Sequence, residues 1–419
     1  MYLGCNEIDI TPNIPIQLAG YMLRKKPATG VASRLFARSF VFRQNDLTLG
    51  LITADLLMLS QKQSQWVRRE AGKLTGIDPD NIIVACTHTH AGPTTDTVLG
   101  NPPDPVYVQW VLKALAGSLY QAANDLEKVE AGYLVSEVEG ISANRRDPDG
   151  EVDRRLIVLG FQTEAEDLKG LLFNFACHPT VMGPDNLLVS PEYPGHAVEF
   201  LKNAFPGTTV GFLNGAAGDV STRFVRREQT HKESRRLGRI LGASVAGLAE
   251  KLTFGPVELD AKEVSFPILA KELVDDSEAE QEIAKWKERL AELKSKGASA
   301  GELRVAQTGL EGALVQREAK NRAKLPKESA LCAWRFGDLG LVSIPGELFT
   351  SLGKLIRANA PFPNVIISCY SNGVLGYIPS QEAYEQGGYE ALSSPLAPGF
   401  GEKLAAAAVD ALKELAEAR

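Results

Sequence analysis

Cysteine is scarce and scattered, with five residues (Cys5, Cys86, Cys177, Cys332 and Cys369) and no CxxC pair among them. That spacing leaves no CxxC zinc pair and fits reduced, buried thiols in a cytoplasmic protein better than a disulfide framework. No run of about 18 apolar residues is present, which leaves no sequence for a membrane-spanning helix. The first residues, MYLGCNEIDITP, lack a basic stretch followed by an apolar one, so no secretory leader is read there. Positive charge is not in excess either. The 45 Lys and Arg residues face 52 Asp and Glu, a formal net charge of -7 that gives nucleic acid no electrostatic footprint. Histidine is as rare as cysteine, at five residues, so where the histidines fall carries information.

What remains is an ordinary globular composition, 44% hydrophobic and 23% charged, in 419 residues. Apolar runs at Leu47–Thr53, Ile82–Thr87, Arg155–Phe161, Leu171–Ala176 and Thr209–Leu213 predict strands. Ser60–Thr75, Val106–Leu126, Pro194–Ala204 and Arg235–Lys251 predict helices. The alternation implies an α/β fold of layered mixed β-sheets flanked by helices, with the chemistry on loops at strand ends. From about residue 270 to 327 the composition turns to Glu, Lys, Ala and Leu with apolar spacings of three and four, broken at Lys296-Gly297-Ala298-Ser299. This predicts an inserted helical hairpin, either a solvated insertion or a contact through which a homo-oligomer forms. Strand-like sequence resumes at Ser329, and Gly and Pro recur from Gly373 to Gly401 as a long loop before an Ala-rich terminal helix.

The strongest local signal is Cys86-Thr87-His88-Thr89-His90-Ala91-Gly92-Pro93, which closes an apolar strand. Two residues apart on extended chain, His88 and His90 are expected to project to one side, as metal ligands or as a hydrogen-bonded pair. His178 in NFACHPT closes another apolar run and gains weight beside that pair. His196 and His231 read as structural or surface residues. Asn214-Gly215-Ala216-Ala217-Gly218-Asp219-Val220-Ser221 is a small-residue turn that lets backbone approach a ligand, and its GxxxxGK[ST] counterpart is absent. Glu347, just past the strand LGLVSIP, suits a ligand, a base or a solvated carboxylate, while spacing alone makes Tyr377 and Tyr389 packing aromatics.

Taken in order, THTHAGP, NFACHPT, GDVS, PGE and YSNGVLGY, together with IDITPNIPIQLAGY and SANRR, resemble motifs of the neutral/alkaline ceramidase family of zinc amidohydrolases over roughly residues 6 to 395. The resemblance implies a single catalytic domain over residues 1–419, interrupted by the hairpin and without a C-terminal immunoglobulin-like domain. It implies Zn²⁺ held by His88, His178, Glu347 and Tyr377. His90 matches a histidine at the reacting water or substrate, and Ser221 a serine read either as nucleophile or as polar contact. Arg145 matches an arginine near the scissile amide, and Tyr389 a tyrosine that stabilises an oxyanion. Two departures stand out: Ala91 replaces the usual Ser, and Thr222-Arg223-Phe224 replaces Pro-Asn after GDVS. The implied activity is hydrolysis of an N-acyl amide, ceramide-like, by metal-activated water. The competing readings are a zinc esterase on a soluble metabolite, a (β/α)8 amidohydrolase barrel and a non-catalytic metal-binding scaffold.

Overall fold

The computed structural model describes residues 1–22, 24–97, 102–272, 275–317 and 325–417. Its first sheet has eight strands, in the order Thr209–Asn214, Leu168–Phe175, Arg155–Thr163, Glu127–Glu137, Tyr2–Asp9, Phe36–Gln44, Leu47–Ala54 and Ile82–Cys86. Interior neighbours are antiparallel, whereas the outermost pair at each edge is parallel. A second sheet runs Leu259–Pro267, Glu328–Phe336, Leu339–Ser343 and Asn364–Ser368, again with a parallel last pair.

Period-two side-chain alternation explains how the sheets stack. In Arg155–Thr163, Ile157, Leu159 and Phe161 join one apolar cluster while Leu156 and Val158 join another, so both faces are covered. The first of these clusters is shared with Trp334, Phe336, Leu341 and Ile366 of the second sheet, which makes it the layer between the sheets. Phe42 sits at its centre, 5.2 Å from the Phe161 ring, 5.1 Å from Phe336 and 6.4 Å from Trp334. The helices Gln61–Thr75 and Pro105–Ala123 cover one half of the outer face of the first sheet, and Glu192–Ala204 and His231–Ala249 the other. Thr350–Asn359 and Phe400–Glu417 cover the second sheet.

The layered α/β architecture is the one expected, and the predicted elements are present with ends moved by a few residues. Caps set several of those ends. Asp104 accepts from the Val106 and Tyr107 amides at 2.8 and 3.2 Å, so the helix starts before Val106, and Thr230 accepts from the Glu233 amide at 3.2 Å and starts His231–Ala249 ahead of Arg235. The segment from Gly373 to Gly401 is not a plain loop. It holds the short helices Gln381–Gln386 and Tyr389–Ser393, the first capped by Ser380.

The inserted segment forms the helices Asp276–Ser295 and Ala300–Arg317, with residues 273–274 and 318–324 of the predicted hairpin outside the described residues. Ser299 and Glu302 cap the second helix reciprocally, at 2.8 and 3.3 Å. The two helices share a small core of Leu290, Leu293 and Ala306 with Trp286, Leu303 and Leu310 around it. The second helix folds back onto its own chain: a Cβ added at Gly312 would lie 3.0 Å from the Tyr389 Cα, and one at Gly301 would lie 2.5 Å from the Phe224 ring.

If the layer between the sheets carries the fold, Phe42→Ala costs about 3–5 kcal/mol of unfolding free energy. Urea unfolding measures it, and a loss below about 1 kcal/mol would place the stabilising contacts elsewhere.

Candidate metal centre

The three parallel strand pairs of the two large sheets deliver their carboxyl ends to one region. Ile82–Cys86 leads to His88 and His90, Leu168–Phe175 to His178, Thr209–Asn214 to Asp219 and Ser221, Leu339–Ser343 to Glu347, and Asn364–Ser368 to Tyr370. This follows the rule that open α/β sheets gather ligands beyond strand carboxyl ends.

His88 and His90 do converge, but strand pleating is not the reason. The strand stops at Cys86, and His88 takes a left-handed backbone with φ 68°. Hydrogen bonds from the Thr87 and His88 amides to Ala54 and Leu56, both 2.9 Å, hold that turn. The ring of Tyr370, itself at φ 55°, stacks on His88 with centroids 3.8 Å apart. Two non-glycine residues in this backbone region, packed face to face, mark stored strain where the chemistry lies. On the other side, Gly20 (φ 97°) approaches so closely that a Cβ there would sit 2.4 Å from the His90 ring.

The three imidazoles are oriented alike. Nδ1 of His88 faces the Leu57 carbonyl at 2.8 Å, Nδ1 of His90 faces Gly20 at 3.1 Å, and Nδ1 of His178 faces Ala217 at 2.6 Å. A carbonyl only accepts, so each Nδ1 carries the hydrogen and each Nε2 is left with a lone pair. Ligand nitrogens of the three rings lie within 4.8 Å of one another, all buried. Among the described residues, Nε2 of His88 and of His90 has no hydrogen-bond partner. The Glu347 carboxylate enters the same space, its Oε2 2.9 Å from His178 Nε2 and 3.4 Å from His88 Nε2.

Acceptors facing acceptors need a cation between them, either a proton or a metal. Burial and then the Arg145 charge lower His178 from 6.5 to about 4, so a proton does not reside there at neutral pH. Burial and its neighbouring rings likewise hold His90 well below the usual imidazole range. Burial alone would raise Glu347, but an incoming proton goes first to the imidazoles beside it, so the carboxylate stays ionised well below the usual carboxylate range. The donor set therefore fits a divalent metal: neutral imidazoles with second-shell carbonyls on the far nitrogen, plus one carboxylate.

Around this core stand the other predicted residues. Tyr377 pairs in parallel register with Glu347, and its ring lies 6.3 Å from His178 and 5.5 Å from Tyr389. The Arg145 guanidinium sits 5.1 Å over the Tyr377 ring, donating to Glu390 at 2.7 Å and to the Gly218 carbonyl at 2.8 Å. Burial pushes the Tyr389 hydroxyl up to about 12, so it is a donor at neutral pH. Ser221 is buried on a strand beside His178, and its Oγ accepts from the Arg223 amide at 3.2 Å. Of the remaining histidines, His196 is buried on a helix near Glu199 and His231 starts the next helix, both away from the cluster.

Sequence reading missed several supports. Tyr370 backs His88, and Glu390 anchors Arg145. Asn372 ties the site loop to the edge strand through the Val84 amide (2.8 Å) and Ile82 carbonyl (3.2 Å). Arg24 holds the His90 carbonyl at 2.9 Å. Asp219 accepts from the Thr350 amide and hydroxyl at 2.8 Å, and Gly218 is pressed so near the Glu347 carbonyl that a Cβ would lie 2.4 Å from it.

A layered α/β fold that gathers three imidazoles and a carboxylate at its strand ends defines a candidate metal-dependent enzyme. The family described as neutral/alkaline non-lysosomal ceramidase, N-terminal, matches residues 1–280, and the chain belongs to it. That match includes His88, His90, Arg145, His178 and Ser221, whereas Glu347, Tyr377 and Tyr389 lie beyond it and join the site by geometry. The chain is 26% identical over 245 residues to the neutral ceramidase of Pseudomonas aeruginosa, a stretch covering 52% of this chain and 36% of that protein. To the neutral ceramidase of Mycobacterium tuberculosis it is 28% identical over 205 residues, 43% of this chain and 32% of the relative. These curated relatives are thus matched over about a third of their length. The crystal structure of the Pseudomonas aeruginosa neutral ceramidase superposes with a TM-score of 0.79 at 21% identity, covering 99% of this chain and 74% of that one.

Two outcomes follow from this geometry. In equilibrium dialysis, His178→Ala and Glu347→Gln should each bind zinc at least about tenfold more weakly than the unaltered protein, and unchanged affinity for both would remove them from the ligand set. Because His178 is lowered to about 4 in the folded state against 6.5 unfolded, the unfolded chain binds the extra proton between those values. Stability of the metal-free protein should therefore fall as pH drops through that window. Urea titrations of His178→Gln should show a shallower fall, and an identical slope would contradict the assignment.

Proposed function

We propose that this protein is a metal-dependent hydrolase that cleaves the linear amide bond of an N-acyl amide, ceramide-like in connectivity, with zinc as the metal and water as the nucleophile. The observation that carries the reading is the meeting of three imidazole lone pairs and one carboxylate in a buried pocket of a ceramidase-family chain. His88, His178 and Glu347 would hold the ion, with Tyr377 alongside. Bound zinc polarises a carbonyl and lowers the pKa of water from 15.7 to about 7.

The chain's own groups account for the remaining needs of the reaction. In hydrolysis the C–N bond breaks, water supplies the new carboxylate oxygen, and the leaving nitrogen takes a proton. His90 has a neutral, unpartnered Nε2 and a fixed Nδ1–H, which suits it to take a proton from water and pass it to the amine. Arg145, locked by Glu390 and the Gly218 carbonyl, and the protonated Tyr389 are the donors placed to meet negative charge on the carbonyl oxygen. Ser221 is bonded to a backbone amide, and among the described residues no imidazole or carboxylate hydrogen-bonds to it, which supports a contact role over a nucleophilic one. Five free thiols, four of them buried, support a cytoplasmic, reducing location.

Zinc-loaded protein should release amine from short- and long-chain N-acyl amides faster than it cleaves the matching esters relative to their uncatalysed rates. Chelation should abolish turnover and zinc should restore it. Cleavage of esters alone would overturn the amidase reading. Ser221→Ala should keep a measurable fraction of kcat, whereas Arg145→Gln should lose about 10²–10³-fold. A dead Ser221→Ala enzyme that still folds and binds metal would restore the nucleophile reading.

A further inference from the structure

Buried arginines elsewhere in the chain meet carboxylates: Arg38 reaches Glu7 and Asp55, Arg68 reaches Glu263, Arg145 reaches Glu390 and Arg357 reaches Asp153. Arg24 instead donates to a cage of backbone carbonyls. Arg223 and Arg226 differ from both patterns. Both are half-buried, and each gives a single hydrogen bond to a backbone carbonyl: Arg223 to Arg145 at 2.8 Å, and Arg226 to Thr180 at 2.7 Å. Among the described residues, no carboxylate pairs with either one.

Their location is specific. Arg223 follows Ser221 by two residues and binds its hydroxyl through the backbone, and the acceptor of Arg226 lies two residues past His178. A tight turn at Thr222, which accepts from the Val225 and Arg226 amides, brings the two guanidinium-bearing residues onto one short segment. The hairpin covers that segment. Gly301 packs on the Phe224 ring, and one helical turn later Arg304 is held by both oxygens of Glu311, at 2.9 and 3.3 Å. Burial, followed by the like charge of Arg145, lowers Arg223 to about 10; Glu390 opposes this, and Arg304 and Arg226 add to the repulsion. Positive charge is thus concentrated beside the metal centre of a chain whose net charge is negative. Partly desolvated guanidinium groups that feel Glu390 and Glu192 only at a distance, with no carboxylate in direct contact among the described residues, suit planar carboxylate or phosphate oxygens.

We propose that Arg223 and Arg226, roofed by Arg304 of the hairpin, bind an anionic group, carboxylate or phosphate, carried by the substrate away from the scissile amide. The inference rests on the hydrolase reading and narrows its substrate to N-acyl amides bearing an acid.

Binding of unreactive probes to the zinc-loaded full chain tests it without turnover. In calorimetric titrations, α,ω-dicarboxylates, which offer one acid to the metal and one to the arginines, are compared with monocarboxylates of equal length. A dicarboxylate of matching length should bind at least about tenfold tighter, and Arg226→Gln should abolish that advantage while leaving monocarboxylate affinity unchanged. Phosphonocarboxylates in the same series tell phosphate-like from carboxylate recognition, and a preference for either acid supports the site. Equal affinity of the two series, no binding of either, or equal weakening of both by Arg226→Gln would overturn it. The comparison in the unaltered protein decides the matter even if Arg226→Gln fails to fold. Failure here is distinct from failure of the hydrolase reading, which is read from amide cleavage.

Discussion

Three backbone carbonyls, those of Leu57, Gly20 and Ala217, dictate the chemistry of this protein. By taking the Nδ1 hydrogens of His88, His90 and His178, they turn three imidazoles into acceptors that look at one another and at a carboxylate. Such an arrangement is repulsive on its own, and water is largely kept from it by burial. A protein that keeps this arrangement gains from it only when a cation is bound. The same burial that makes the bare pocket costly makes a bound ion's field strong.

The rest of the fold serves to hold those carbonyls and rings in register. Parallel strand pairs at the sheet edges bring their carboxyl ends together, and the antiparallel interior, packed around Phe42, fixes the edges relative to each other. Loops at the site are tied down by single polar side chains. Asn372 spans to the edge strand, Asp219 clamps Thr350, and Glu390 fixes Arg145. Left-handed backbone at His88 and Tyr370 is the local cost, offset by this surrounding network. The hairpin adds a wall that sets Gly301 against Phe224, in the segment after Ser221, and Gly312 against Tyr389.

Much of this was legible in the sequence, for identifiable reasons. Scarce histidines at the ends of apolar runs pointed to the cluster, because strands end where loops carry function. Period-two runs such as RLIVLGF showed the sheet, and charge-rich spacing by three and four showed the hairpin. The geometry of His88 was not legible: its convergence with His90 comes from a left-handed turn enforced by Leu56 and Tyr370, not from strand alternation. Nor were Tyr370, Glu390 and Asn372 legible as supports, since their partners lie far away in sequence. Glu390 meets a residue 245 positions earlier, and Asn372 reaches back 288 positions to Val84. Long-range partners of single polar side chains leave no local pattern.

The central claim is that a cation belongs among His88, His178 and Glu347. Anomalous diffraction at the zinc edge from crystals of the zinc-loaded protein tests it most directly. A single strong peak is expected, bonded to imidazole nitrogens at about 2.0–2.1 Å and to a Glu347 oxygen at about 2.0–2.2 Å. A peak at some other group of side chains, with the three Nε2 atoms bonded to water, would contradict it.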